Sequence, residues 1–138
     1  MSTIDVEPRS GHQLVVGIRG HELLLDQPQD AGGRDAGPTP TELFVAGLAA
    51  CVAHYANGYL TRHGIDAAGL RVTADWSFST DRPSRVASIE VRVEPPAALP
   101  ADKRDALLAV ASHCTVHNSL AVVPEVSVTL EPPARGAA

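Results

Sequence analysis

The strongest constraint on the fold of this chain is a helix whose start is spelled out by Thr39-Pro40-Thr41-Glu42. Thr39 suits the N-cap, Pro40 suits the first helical position, and Glu42 falls where its carboxylate can reach back to the Thr39 N–H, completing a capping box. The apolar pattern then runs past Cys51 to Leu60. Arg62 and His63 suit the last turn, and Gly64 supplies the left-handed stop. The spacing predicts a helix over 40–62, apolar nearly all round in its first half, which belongs in a core or an oligomer interface.

The rest of the chain is arranged around that helix. His12 to Ile18 and His21 to Leu25 are β-rich runs separated by Arg19-Gly20, which predicts a hairpin. Residues 26–39 hold Pro28, Gly32, Gly33, Gly37 and Pro38 and form a loop. Leu70, Val72, Ala74, Trp76 and Phe78 alternate as a half-buried strand to Ser79, and Ala87 to Glu94 is its partner, with Ile89, Val91 and Val93 on one face. Pro100 opens a second helix to about Ser112, and a short helical stretch carries Thr115 to Ala121. Val126, Val128 and Leu130 predict a last strand. The order β-β-α-β-β-α-α-β is that of an α+β domain with its strands in hairpins. One domain over 1–131 and a disordered tail over 132–138 are expected.

Composition excludes several classes of function. The net charge is −5 and Lys103 is the only lysine, so the basic stripe of a nucleic-acid binder is missing. The longest uninterrupted apolar run, Leu43 to Ala53, is 11 residues, short for a membrane span. No charged, apolar, small-residue leader opens the chain, so a cytoplasmic location is expected. Lasting disulfides are uncommon there, and a cysteine pair is more often catalytic or metal-binding than structural.

The chain has 2 cysteines, and each opens the same pattern: Cys51-Val-Ala-His54 and Cys114-Thr-Val-His117. Three readings are open. The thiols could act as a redox pair. Cys51, His54, Cys114 and His117 could form a Cys2His2 metal set, since cysteine and histidine three apart share a helix face. Both cysteines could also be small core residues. A reactive thiol needs something to lower its pKa. Cys51 lies 11 positions beyond Pro40, where the helix dipole has faded. An arginine must then supply the positive charge, with Arg9, Arg19 and Arg34 available, or the helix must break near Gly47 and restart. Glu42 has a related difficulty. In a straight helix it points away from Cys51, roughly 13 Å distant along the axis, and joins that site only through a helix break or a second subunit.

Gly37-Pro38-Thr39-Pro40-Thr41-Glu42-Leu43 followed by Ala49-Ala50-Cys51 resembles the G-x-x-P-x-E-L…A-A-C signature of the OsmC/Ohr family, the osmotically inducible and organic hydroperoxide resistance proteins. His113 to Leu120 resembles the second motif, C-P-V-H-x-x-L in one branch, with Thr115 in place of proline. His21, Asp26, Pro28 and Gly32-Gly33 resemble the lead-in of that branch. Several hydroperoxide-resistance members carry the glutamate one position earlier, where this chain has Thr41.

The resemblance implies an OsmC-like fold, with antiparallel sheets wrapped around long central helices in an intertwined homodimer. It implies a peroxidatic Cys51 and a resolving Cys114, cycling through sulfenic acid and a disulfide as an organic hydroperoxide is reduced. A lipoyl-type or thioredoxin-like dithiol would restore the thiols, and no cofactor is required. A glutamate and an arginine would hold the thiolate at the dimer interface. Glu42 matches the first. Arg9-Ser10-Gly11 resembles the Arg-Asp-Gly of the family's first hairpin, which makes Arg9 the first candidate for the second and Arg19 the alternative. Leu43, Phe44, Leu48, Val52 and Tyr55 are expected to give the thiol an apolar pocket.

Overall fold

The computed structural model describes residues 1–134. Its strands and helices are β1 (Asp5–Pro8), β2 (Leu14–Ile18), β3 (His21–Leu25), α1 (Pro40–Arg62), β4 (Arg71–Phe78), β5 (Val86–Glu94), α2 (Arg104–Ala111) and α3 (Thr115–Ala121), with single 3-10 turns at Gln29–Ala31 and Ala101–Lys103.

The expected helix forms over its full predicted length. Thr39 and Glu42 complete the capping box, with Glu42 N–H donating to Thr39 Oγ1 at 3.1 Å and Thr39 N–H to Glu42 Oε1 at 2.9 Å. Val45, Leu48, Val52, Ala56, Tyr59 and Leu60 are its buried residues, spaced by three and four along one stripe. That stripe packs against β4, β5, α2 and α3. Leu107 and Ala111 of α2 and Cys114 complete the core, with Val72, Ile89, Val91 and Val93 laid on it from the two-stranded sheet. The β4–β5 register puts those side chains on one face by pairing Val72 with Val93, Ala74 with Val91 and Trp76 with Ile89. By length and composition α1 would also suffice to cross a membrane, with one 18-residue window reaching a mean hydropathy of 1.3. The count of uninterrupted apolar residues therefore understated it. Only 33% of that window is buried within the protomer.

β1, β2 and β3 form a separate antiparallel meander. Arg19 and Gly20 both take positive φ, 48° and 82°, which is the type I′ geometry a two-residue hairpin loop requires. The loop after β3 is tied down by Asp26, which is 1% exposed. Its carboxylate accepts backbone N–H groups of Gln27 at 2.7 Å and of Arg34 and Ala36 at 3.1 Å each. These bonds, Ala36's first, hold its pKa below the ordinary carboxylate value against the opposing effect of burial. The loop crosses so close to Gln27 and Leu24 that a β-carbon on Gly33 or Gly37 would collide with a backbone carbonyl.

Two expectations need correction. β1 forms although no strand was expected before residue 12. It is four residues long, exposed throughout and held by pairing to β2, so its own sequence carries little signal. The strand expected at Val126–Leu130 does not form. Val126, Val128 and Leu130 are 76%, 94% and 99% exposed, and this segment joins neither sheet. An alternating pattern becomes a strand only where it pairs with a sheet edge, and this segment pairs with none of the edges of the two sheets. Of the tail expected to be disordered, residues 135–138 lie outside the described residues.

Candidate thiol site

The two cysteines, 63 positions apart in the chain, meet in space. Cys51 occupies the middle of α1 and is half-buried, while Cys114 caps the N-terminus of α3 and has no solvent exposure. Their thiols are close enough for Cys51 to perturb the ionisation of Cys114. Both thiols are free. Cys51 packs against the core cluster to which Cys114 belongs, so the pair sits where the core meets the surface.

The electrostatics of the pair are asymmetric. Burial pushes the Cys114 thiol up, and the nearby Cys51 pushes it in the same direction. The His117 N–H, which donates to the Cys114 sulfur at 3.4 Å, opposes them without prevailing. Cys114 is therefore held as the protonated partner. As a thiol it can donate a hydrogen bond to a neighbouring group.

The other predicted residues are placed less centrally. α1 is continuous from Pro40 to Arg62, so the expected alternative of a break near Gly47 is not realised. Cys51 accordingly gains little from the dipole. Glu42 is exposed, engaged in the capping box, and remote from Cys51 along the helix. Arg9 follows β1, with its backbone N–H donating to Gln13 O at 2.9 Å, and Arg19 is in the β2–β3 turn. Arg34 lies in the loop, where its N–H serves Asp26. Among the described residues none of these three arginines makes a side-chain ion pair, and the meander that carries Arg9 and Arg19 has no extensive packing on α1.

The Cys2His2 set is not assembled either. His54 is exposed and meets Tyr55 edge-on, with ring centroids 5.6 Å apart. Among the described residues no three His, Cys, Asp or Glu side chains converge as metal ligands.

The apolar pocket is only partly as expected. Leu48 and Val52 line a cleft of about 210 Å³ between α1, β5 and α2, together with Ile89, Val91, Leu108, Ser112 and His117. Phe44 lines an adjoining groove with Leu120 and His117. Leu43 and Tyr55 line neither, and neither thiol opens directly into them. What the sequence did not reveal is the role of Tyr55. Its hydroxyl bonds Thr115 Oγ1 at 2.8 Å. Two residues 60 positions apart on different elements leave no periodic signal of such a contact.

The OsmC-like protein family matches residues 32–131, a region that takes in both cysteines and Glu42. The chain belongs to the OsmC-like protein family. None of the curated protein sequences compared with it matches. Among solved structures, an OsmC-like protein of Mycoplasma pneumoniae superposes with a TM-score of 0.75 at 20% identity, over 89% of each chain. An organic hydroperoxide resistance protein OsmC of Legionella pneumophila gives 0.66 at 20% identity, over 87% of this chain and 88% of the other. An organic hydroperoxide resistance protein of Elizabethkingia anophelis gives 0.64 at 22% identity, over 86% and 88%. At these identities the likeness establishes the OsmC fold of the α+β protomer. The family match begins after β3, so Arg9 and Arg19 lie outside it while the thiol pair lies within.

Proposed function

We propose that the protein is a thiol-dependent peroxidase that reduces organic hydroperoxides. The observation that carries this reading is the pairing of a half-buried Cys51 with a fully buried Cys114, close enough for the first to hold up the pKa of the second. In the first step the Cys51 thiolate attacks the distal oxygen of ROOH. The O–O bond breaks, the sulfur becomes sulfenic acid, and the alkoxide takes a proton and leaves as ROH. In the second step Cys114 attacks that sulfur, a disulfide forms and water departs. An external dithiol of lipoyl or thioredoxin type then reduces the disulfide and is itself oxidised. The order of roles follows from access. Only the more exposed thiol can meet substrate, and the buried one is placed to react with what the first becomes.

Activation of Cys51 needs positive charge that its position within α1 does not supply. A second protomer is its source in this proposal. The exposed faces of α1 and of the β1–β3 meander support a homodimer in which Arg9, or Arg19 in its place, reaches the thiol of the opposite chain with Glu42 beside it. Two of the structural relatives are organic hydroperoxide resistance proteins. A cytoplasmic setting, where dithiol reductants are abundant, belongs to the same proposal.

A second reading is a binding or stress protein of this fold with weakly reactive thiols. It is favoured by the place of Cys51 deep within a continuous α1, where the helix dipole gives its thiol little help. Steady-state consumption of cumene hydroperoxide with a lipoyl dithiol or thioredoxin as donor separates the two. The peroxidase reading predicts turnover that Cys51→Ser abolishes. Under the second reading the parent and Cys51→Ser consume peroxide equally slowly.

A further inference from the structure

Tyr55 follows Cys51 by four residues on α1, so the two side chains leave the same face of the helix, one turn apart. Thr115 directly follows Cys114 and is the first residue of α3. The 2.8 Å bond between their hydroxyls therefore joins the turn that bears one thiol to the turn that bears the other. α3 is only seven residues long and buries none of them, and only Val116 among them packs on the core. The start of α3 is anchored on α1 by the buried Cys114 and by Val116, and the hydroxyl bond adds a polar tie beside them. Thr115 stands where the resembling motif carries proline, and a proline has no hydroxyl to offer.

We propose that Tyr55 and Thr115 are positioning residues for the thiol pair, their bridge fixing Cys114 over Cys51 for disulfide closure. This rests on the reading that Cys51 and Cys114 exchange between dithiol and disulfide. Closing that bond brings the two sulfurs from contact to about 2.05 Å with a restricted dihedral angle, so the rate and equilibrium depend on how often the two turns are in register. Holding them together raises the effective concentration of one thiol at the other. A hydroxyl bridge contributes to this without touching either sulfur.

The test equilibrates the full-length protein with reduced and oxidised dithiothreitol. Two protein thiols lose their hydrogens to form the disulfide as the cyclic reagent disulfide is reduced. The disulfide fraction is read by alkylation and mass spectrometry. Tyr55→Phe and Thr115→Val should each shift the equilibrium toward the dithiol by about five-fold, as loss of one hydrogen bond implies. The double variant should lose no more than either single one, because both remove the same bond. Thr115→Ser, which keeps the hydroxyl, should stay within about two-fold of the parent. An unchanged equilibrium in Tyr55→Phe, additive losses in the double variant, or a parent that forms no disulfide would overturn the proposal. The exchange uses no hydroperoxide. A protein that cycles normally against dithiothreitol but ignores hydroperoxide would refute the peroxidase and leave the positioning role standing.

Discussion

Asp26 shows how a single residue organises a segment that has no regular structure. Its carboxylate gathers N–H groups from three positions of the loop between β3 and α1, and its own N–H donates to Pro38 O at 3.1 Å. The chain is thereby delivered to Thr39 in the extended conformation that an N-cap requires. The folded-state pKa of Asp26 is lowered, so its stabilisation is fully present above the unfolded value, near pH 4, and is lost as the pH falls through the folded value. Asp26→Asn keeps the shape but loses the charge and one acceptor. Its urea midpoint should fall below that of the parent at pH 7, and the gap should narrow progressively below about pH 4. Cys51 and Cys114 were legible as a pair because their motifs resemble a known pattern. The bond between Tyr55 and Thr115 was not, because a contact across 60 positions depends on packing that no local pattern records.

At the scale of elements, α1 was legible to the residue because its signals are local and agree. A capping box, a proline at the first position, a three-and-four apolar stripe and a glycine stop all specify the same 23 residues. Thr39→Ala and Glu42→Ala should each destabilise the fold by about 1 kcal/mol in chemical denaturation. The double variant should cost clearly less than the sum, since the two side chains belong to one reciprocal cap. Strands are different, because a strand is a relation between two backbones. β4 and β5 were found because each carries its own alternation, and pairing sets their apolar faces on α1. β1 escaped notice since its stability comes from β2 rather than from its own side chains. Val126 to Leu130 carry the alternation without pairing to an edge. The same residues would pair if another chain supplied that edge.

For the whole molecule, the protomer leaves much apolar surface uncovered. Phe44, Phe78, Leu108, Leu120 and the residues of 122–130 are exposed, α1 is buried along one stripe only, and the meander stands apart from the core. Monomers rarely carry so large an uncovered apolar area, so a homodimer is the expected solution state. Its thermal midpoint should rise with protein concentration, and sedimentation equilibrium at micromolar concentration should show two chains per particle. Under the proposed function Arg9, or Arg19 in its place, activates Cys51 across that dimer, a contact between two copies that no local pattern in one chain records. The central claim is that Cys51 and Cys114 form one catalytic dithiol. Its most direct test is the mass of the full-length protein after one equivalent of an organic hydroperoxide. The account predicts the loss of two hydrogens, with a single peptide pair joined through Cys51 and Cys114 and full recovery of both thiols on adding a dithiol. Two free thiols persisting after prolonged exposure to excess hydroperoxide would contradict it.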